Sequence, residues 1–136
     1  GPLLDRIDIQ CEIFPVPFKD ISKTAQGEPS ENIRQRVIAA RQIQEKRYAD
    51  IKDVHCNAQM TERMIHQYAE PDEAGLDMLR SAMERLSLSA RAYNRILKVA
   101  RTIADLEASE SVQVHHLAEA IGYRTLDRGD WAERGF

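Results

Sequence analysis

Apolar and polar residues alternate between positions 7 and 13. Ile7, Ile9, Cys11 and Ile13 take one side of an extended chain, and Asp8, Gln10 and Glu12 take the other. A period of two predicts a half-buried strand over 7–14. Pro15 and Pro17 end it, because proline has no N–H for a sheet ladder. Positions 19–29 carry Lys, Asp, Ser, Gly27 and Pro29 and read as a loop or linker. The period then becomes helical. Ile33, Val37, Ala40 and Gln44, with Ile43 beside them, trace one face of a helix over 30–48, for which Ser30 is a candidate N-cap. Arg34, Arg36, Arg41, Lys46 and Arg47 make this helix basic. Residues 49–59 show no period. A short helix is expected over 61–69 with Thr61 as its cap. After Pro71 another is expected over 72–86, with Leu76, Leu79 and Met83 as its apolar side.

The densest pattern follows Ser89, a good N-cap after the turn Leu86–Ser89. Ala92, Ile96, Val99, Ile103 and Leu106 form one stripe, and Tyr93, Leu97, Ala100 and Ala104 form a second beside it. Two adjoining stripes predict the longest helix of the chain, running to about 108 and packed by neighbours on several sides. Arg91, Arg95, Lys98, Thr102 and Asp105 make up the remaining, polar stripe. After the polar turn Ser109–Ser111, a last helix is expected over 115–122. Residues 127–136 read as a frayed end, with Trp131 as its one packing residue. The predicted fold is mostly α: one strand, then a bundle of four or five helices. A lone strand needs partners, and nothing after Ser30 supplies them, so its sheet is expected upstream of Gly1.

Composition adds exclusions. The chain has 136 residues, enough for one or two small domains. With 43 % hydrophobic and 30 % charged residues and a net charge of -3, it exerts no global pull on nucleic acid. No run is long and apolar enough to cross a membrane, and no basic-then-apolar leader opens the chain. Cys11 and Cys56 are far apart and read as free, buried thiols of a cytoplasmic protein. The chain carries neither GxxxxGK[ST] nor GxGxxG, so it has no loop of its own to cradle phosphates. His115 and His116 are adjacent and cannot share an i,i+4 face, while His55 and His66 are distant, so no metal site is expected.

Two arginines stand out. Arg91 falls in the first turn of its helix, where the macrodipole favours negative charge. A cation there gains nothing from the dipole, but together with open backbone N–H groups it suits a phosphate. The plainer reading leaves Arg91 and Arg95 solvated or paired with a carboxylate such as Glu84. Arg6 precedes the strand between Asp5 and Asp8. It either pairs with one of them or reaches across a subunit boundary to a terminal phosphate, where a guanidinium stabilises the transition state of phosphoryl transfer. Leu86–Ser89 before a basic-striped helix also invites a helical DNA-binding reading. The two apolar stripes argue against it, because a recognition helix needs a wide free face.

GPLLDRIDI at 1–9, IRQRVIAARQIQEKRY at 33–48, LSLSARAYNRILKVARTIADLEAS at 86–109 and VHHLAEAIGYR at 114–124 occur in this order over more than half of the chain. They resemble the C-terminal part of magnesium-chelatase-like AAA+ ATPases of the ComM/YifB group. The resemblance implies that 1–29 is the remnant of an AAA+ core with its last strand. It makes 30–48 the helix linking core to lid, 49–126 the helical lid and 127–136 a flexible tail. It implies that Arg6 is the arginine finger acting in trans, that Arg91 is the sensor-two arginine on the ATP γ-phosphate, and that Arg95 is a weaker candidate for the same ligand. ATP and Mg would belong to the full-length protein, expected to be a hexameric ring, with none expected in the fragment. Such a ring would act on DNA in branch migration, recombination or natural transformation. A true magnesium-chelatase motor subunit and a helical interaction module without a nucleotide role are the alternatives.

Overall fold

A computed structural model describes residues 6–11 and 27–124. Five α-helices follow one another: α1 (Ser30–Arg47), α2 (Glu62–Tyr68), α3 (Glu73–Leu86), α4 (Ala90–Leu106) and α5 (Val114–Gly122). A 3-10 turn, Asn57–Gln59, precedes α2. Side chains set most of the starts. The Thr61 hydroxyl accepts the Met64 N–H at 3.3 Å, the Asp72 carboxylate accepts that of Gly75 at 2.8 Å, and the Ser89 hydroxyl accepts that of Ala92 at 3.2 Å. Each satisfies one of the N–H groups that a helix start leaves open. α1 differs from expectation here: Pro29 stands at its N-cap position without a side-chain bond, and Ser30 is its first helical residue. Its 18 residues also make it one residue longer than the 17 of α4.

α4 is the centre of the bundle. It packs against α5, α1, α2 and the 3-10 turn, while α3 packs against α5. Ala92, Ile96, Leu97, Val99, Ala100 and Ala104 are buried along it, joined by Leu79, Ala82, Leu86, Ile65, Met64, Leu117 and Ile121 from its neighbours. Gly75 lets α3 approach α5 closely: a Cβ there would lie 2.8 Å from Leu117 and 2.9 Å from Pro71. Two helix ends turn through left-handed residues, Ser87 (φ 52°) after α3 and Ala108 (φ 58°) after α4. In both, the next N–H reaches back into the helix, Leu88 to Met83 O at 3.0 Å and Ser109 to Ala104 O at 2.8 Å.

The expected strand is not borne out over 6–11. These residues form a turn and irregular chain with no strand pairing among the described residues. The phase is inverted as well, since Ile7 and Ile9 are exposed and Gln10 is buried. The Gln10 N–H donates to Tyr123 O at 2.7 Å, so a helix end takes the backbone bond that a neighbouring strand would have made. α1 departs in a similar way. Ala40 and Gln44 are buried, but Ile33, Val37 and Ile38 are exposed, so only its C-terminal half lies on the bundle. The cysteines are free, as expected, yet Cys11 is exposed and Cys56 half-buried rather than both being buried. Residues 12–26, with Pro15 and Pro17, and the tail with Trp131 lie outside the described residues.

Candidate functional site

Arg91 occupies the second residue of α4, just after the Ser89 cap. Its neighbour Ala92 is fully buried, whereas Arg91 itself is exposed. The first turn of α4 holds no acidic residue. Among the described residues Arg91 makes no hydrogen bond or ion pair, and Glu84 does not reach it. The buried body of α4 therefore presents a cation at its positive end with nothing to neutralise it. Such an arrangement is chemically suited to an anion.

Arg6 is also exposed and unpaired among the described residues. Asp8, one of the two carboxylates that could have neutralised it, is engaged elsewhere: Arg95 Nη1 donates to Asp8 Oδ1 at 2.6 Å. This contact separates Arg95 from Arg91. Both lie on the polar stripe of α4, but Arg95 is half-buried and holds a carboxylate. Further along, Lys98 Nζ donates to Ala58 O at 3.1 Å, and Thr102 receives Asn57 Nδ2 at 3.0 Å. Most of the stripe is thus committed to the protein itself, which leaves no wide free face for a DNA groove.

Asp105, the last member of that stripe, is 1 % exposed. Its carboxylate receives Arg47 Nη2 at 2.7 Å and Arg47 Nη1 at 2.8 Å, a two-pronged bond from the end of α1. Asn57 Nδ2 adds a contact at 2.8 Å and Arg101 Nη2 another at 3.1 Å. Asn57 Oδ1 in turn accepts the Tyr48 hydroxyl at 2.7 Å, and the Asn57 N–H donates to Gln44 Oε1 at 2.9 Å. Arg101 also donates from Nη1 to Tyr68 O and Glu110 O and from Nη2 to Ser109 O, while its buried Nε makes no hydrogen bond among the described residues. The hydrogen bond to Asp105 raises the pKa of Arg47 above its ordinary value. For Arg101 the cost of burial outweighs Asp105 and lowers it. Sequence periodicity placed Asp105 on the polar face and gave Arg101 no role, so this network was missed. Its one sequence signal was a pair of opposite charges at i,i+4 within an apolar helix.

His115, His116 and Glu107 converge, with ligand atoms within 4.8 Å of one another, contrary to the expectation that the two histidines cannot share a site. The left-handed turn at Ala108 brings the chain back, so that Glu107 faces the start of α5. Both rings contact Glu107, His115 Nε2 at 3.1 Å and buried His116 through Nε2. His116 Nδ1 accepts the Gln113 N–H at 2.9 Å. In the neutral ring the proton therefore sits on Nε2 and points at Glu107, so His116 presents a donor where a cation needs a lone pair. The donor set fits a polar clamp between α4 and α5 better than a metal centre. Desolvation pushes the Glu107 pKa up, but the hydrogen bonds from the two histidines outweigh it and leave the pKa lowered.

No helix among the described residues is long and apolar enough to cross a membrane. The clefts are shallow. One of about 300 Å³ lies between Asp8, Ile9, Lys98, Ile103 and Tyr123.

Residues 27–124 match the family described as magnesium chelatase, subunit ChlI C-terminal. The chain is 39 % identical over 129 residues to the competence protein ComM of Haemophilus influenzae. It is 41 % identical over 129 residues to the protein YifB of Escherichia coli. Both alignments cover 94 % of this chain and 24 % of the relative, so the chain spans about a quarter of the length of these curated relatives. A protein of Mycobacterium tuberculosis is 32 % identical over 124 residues.

Proposed function

The chain belongs to the magnesium chelatase, subunit ChlI C-terminal family, as a helical domain homologous to the C-terminal part of ComM and YifB, and from that premise we propose that it is the lid of an ATP-driven AAA+ motor. The observation that carries this reading is Arg91: exposed, unpaired among the described residues, and fixed at the N-terminus of the most buried helix. A guanidinium so placed receives the γ-phosphate as sensor two. It stabilises the charge that builds on the phosphoryl oxygens during transfer. Arg6 supplies the corresponding charge to the site of the adjacent subunit. ATP and Mg are held by the part of the longer protein that carries the phosphate loop, absent from this sequence. Residues 30–48 link core to lid, and the exposed Ile33, Val37 and Ile38 of α1 support that placement, because they are left to meet another body. The assembled protein is a ring, a hexamer in this reading, that works on DNA in branch migration or transformation. The 39 % identity to a protein named for competence supports the DNA reading over tetrapyrrole chemistry.

The test is ATP hydrolysis by the full-length protein with and without branched DNA, beside this chain alone. DNA-stimulated turnover is expected in the full-length protein and none in the chain. Arg91→Ala is expected to lower full-length turnover by about a hundredfold, the scale of losing one charge-stabilising donor, with little change in Tm. Wild-type turnover in this variant would overturn the sensor assignment.

A further inference from the structure

Three contacts fasten residues 6–11 to the bundle. Arg95 on α4 holds Asp8 at 2.6 Å. Tyr123 O at the end of α5 receives the Gln10 N–H at 2.7 Å. Arg124, fully buried, donates through Nη1 to Ile7 O. They grip a side chain at 8 and backbone at 7 and 10. The grip explains two oddities together. Gln10 is buried although polar, and Ile7 and Ile9 are exposed although apolar, because the segment is positioned by polar anchors rather than by its apolar side chains. Arg6 emerges immediately before the first anchored residue and is exposed.

We infer that Arg95, Asp8 and Arg124 are positioning residues that seat the Arg6 segment on the same helical body that carries Arg91. Nη1 of Arg95 and Nη1 of Arg124 are each engaged with the segment. Arg95 lies one helical turn beyond Arg91 on the same stripe, so any shift of α4 caused by an anion at Arg91 passes directly to Asp8 and the backbone beside Arg6. The two arginines therefore move as one unit. The catalytic consequence rests on the reading of Arg6 and Arg91 as phosphate-sensing groups, whereas the anchoring itself does not.

The two layers are tested separately. In the 136-residue chain, hydrogen exchange at the Gln10 amide reports seating. Arg95→Ala is expected to speed it about threefold or more, as losing a partly exposed ion pair would, with exchange in α4 unchanged. The charge swap Asp8→Arg with Arg95→Asp is expected to restore it. Unchanged Gln10 exchange in Arg95→Ala, or failure of the swap to restore it, overturns the anchoring. In the full-length protein, Arg95→Ala is expected to lower kcat about tenfold with KM for ATP within about twofold, because ATP is bound elsewhere and only the finger is misplaced; the swap recovers kcat. Wild-type kcat alongside accelerated Gln10 exchange overturns the positioning role. A full-length wild-type protein that hydrolyses no ATP refutes the motor reading instead, and the anchoring is then judged by exchange alone.

Discussion

Arginine shows how little a residue's identity says before its partners are known. Arg91, Arg95 and Arg101 lie along one helix and have three separate fates. Arg91 is exposed and unpaired among the described residues, Arg95 holds a carboxylate, and Arg101 is buried under three carbonyl oxygens. A helical wheel separates the first two from the apolar stripes but cannot tell a solvated charge from an anchored one. That difference depends on Asp8, 87 residues away in sequence. Asp105 was harder still to read, since its partners Arg47 and Asn57 come from α1 and the 3-10 turn. Removing it leaves buried Arg101 and half-buried Arg47 without their shared carboxylate, and two like charges with no counter-ion between them. Asp105→Ala is therefore expected to destabilise the chain by about 3–5 kcal/mol, measured as a lowered urea midpoint. A loss under about 1 kcal/mol would show that water replaces the carboxylate.

Among the elements, helices were legible where caps and stripes agreed. Thr61, Ser89 and the break at Pro71 placed α2, α3 and α4 to within a residue or two, because cap chemistry is local. The strand was not legible, because alternation over 7–13 describes a possible face and not whether a sheet is there to cover it. Gly75 passed unread, since a glycine in a helix carries no sign of what lies opposite. Gly75→Ala is expected to cost about 1–3 kcal/mol through overpacking against Leu117 and Pro71, seen as a fall in Tm. Stability unchanged from wild type would mean that α3 and α5 separate without penalty. The Glu107 clamp gives these elements a pH dependence. Its folded pKa is lowered, so its contribution is present above the ordinary carboxylate value of 4.5 and is lost as pH falls through the lowered value. Glu107→Gln is expected to flatten the acid limb of the stability curve below that pH. An acid limb identical to wild type would assign it to other carboxylates.

At the scale of the whole molecule, the motor reading requires parts from different subunits to meet. Arg6→Ala rings are expected to be inactive alone. Mixing them with subunits that have a broken phosphate loop but an intact Arg6 should restore part of the turnover, because finger and pocket then come from different chains. Absence of any rescue would place Arg6 in cis or outside the chemistry. The family was readable from four blocks of sequence. The polar joint between α1 and α4 was not. That joint grips only the last turn of an 18-residue helix, whose first half stands clear of the bundle. α1 is thus a lever about 27 Å long with its fulcrum at Arg47. Tilting the bundle by about 10° would sweep Ser30 through roughly 5 Å, so in the motor reading a small rearrangement around a phosphate would leave the domain as a large stroke.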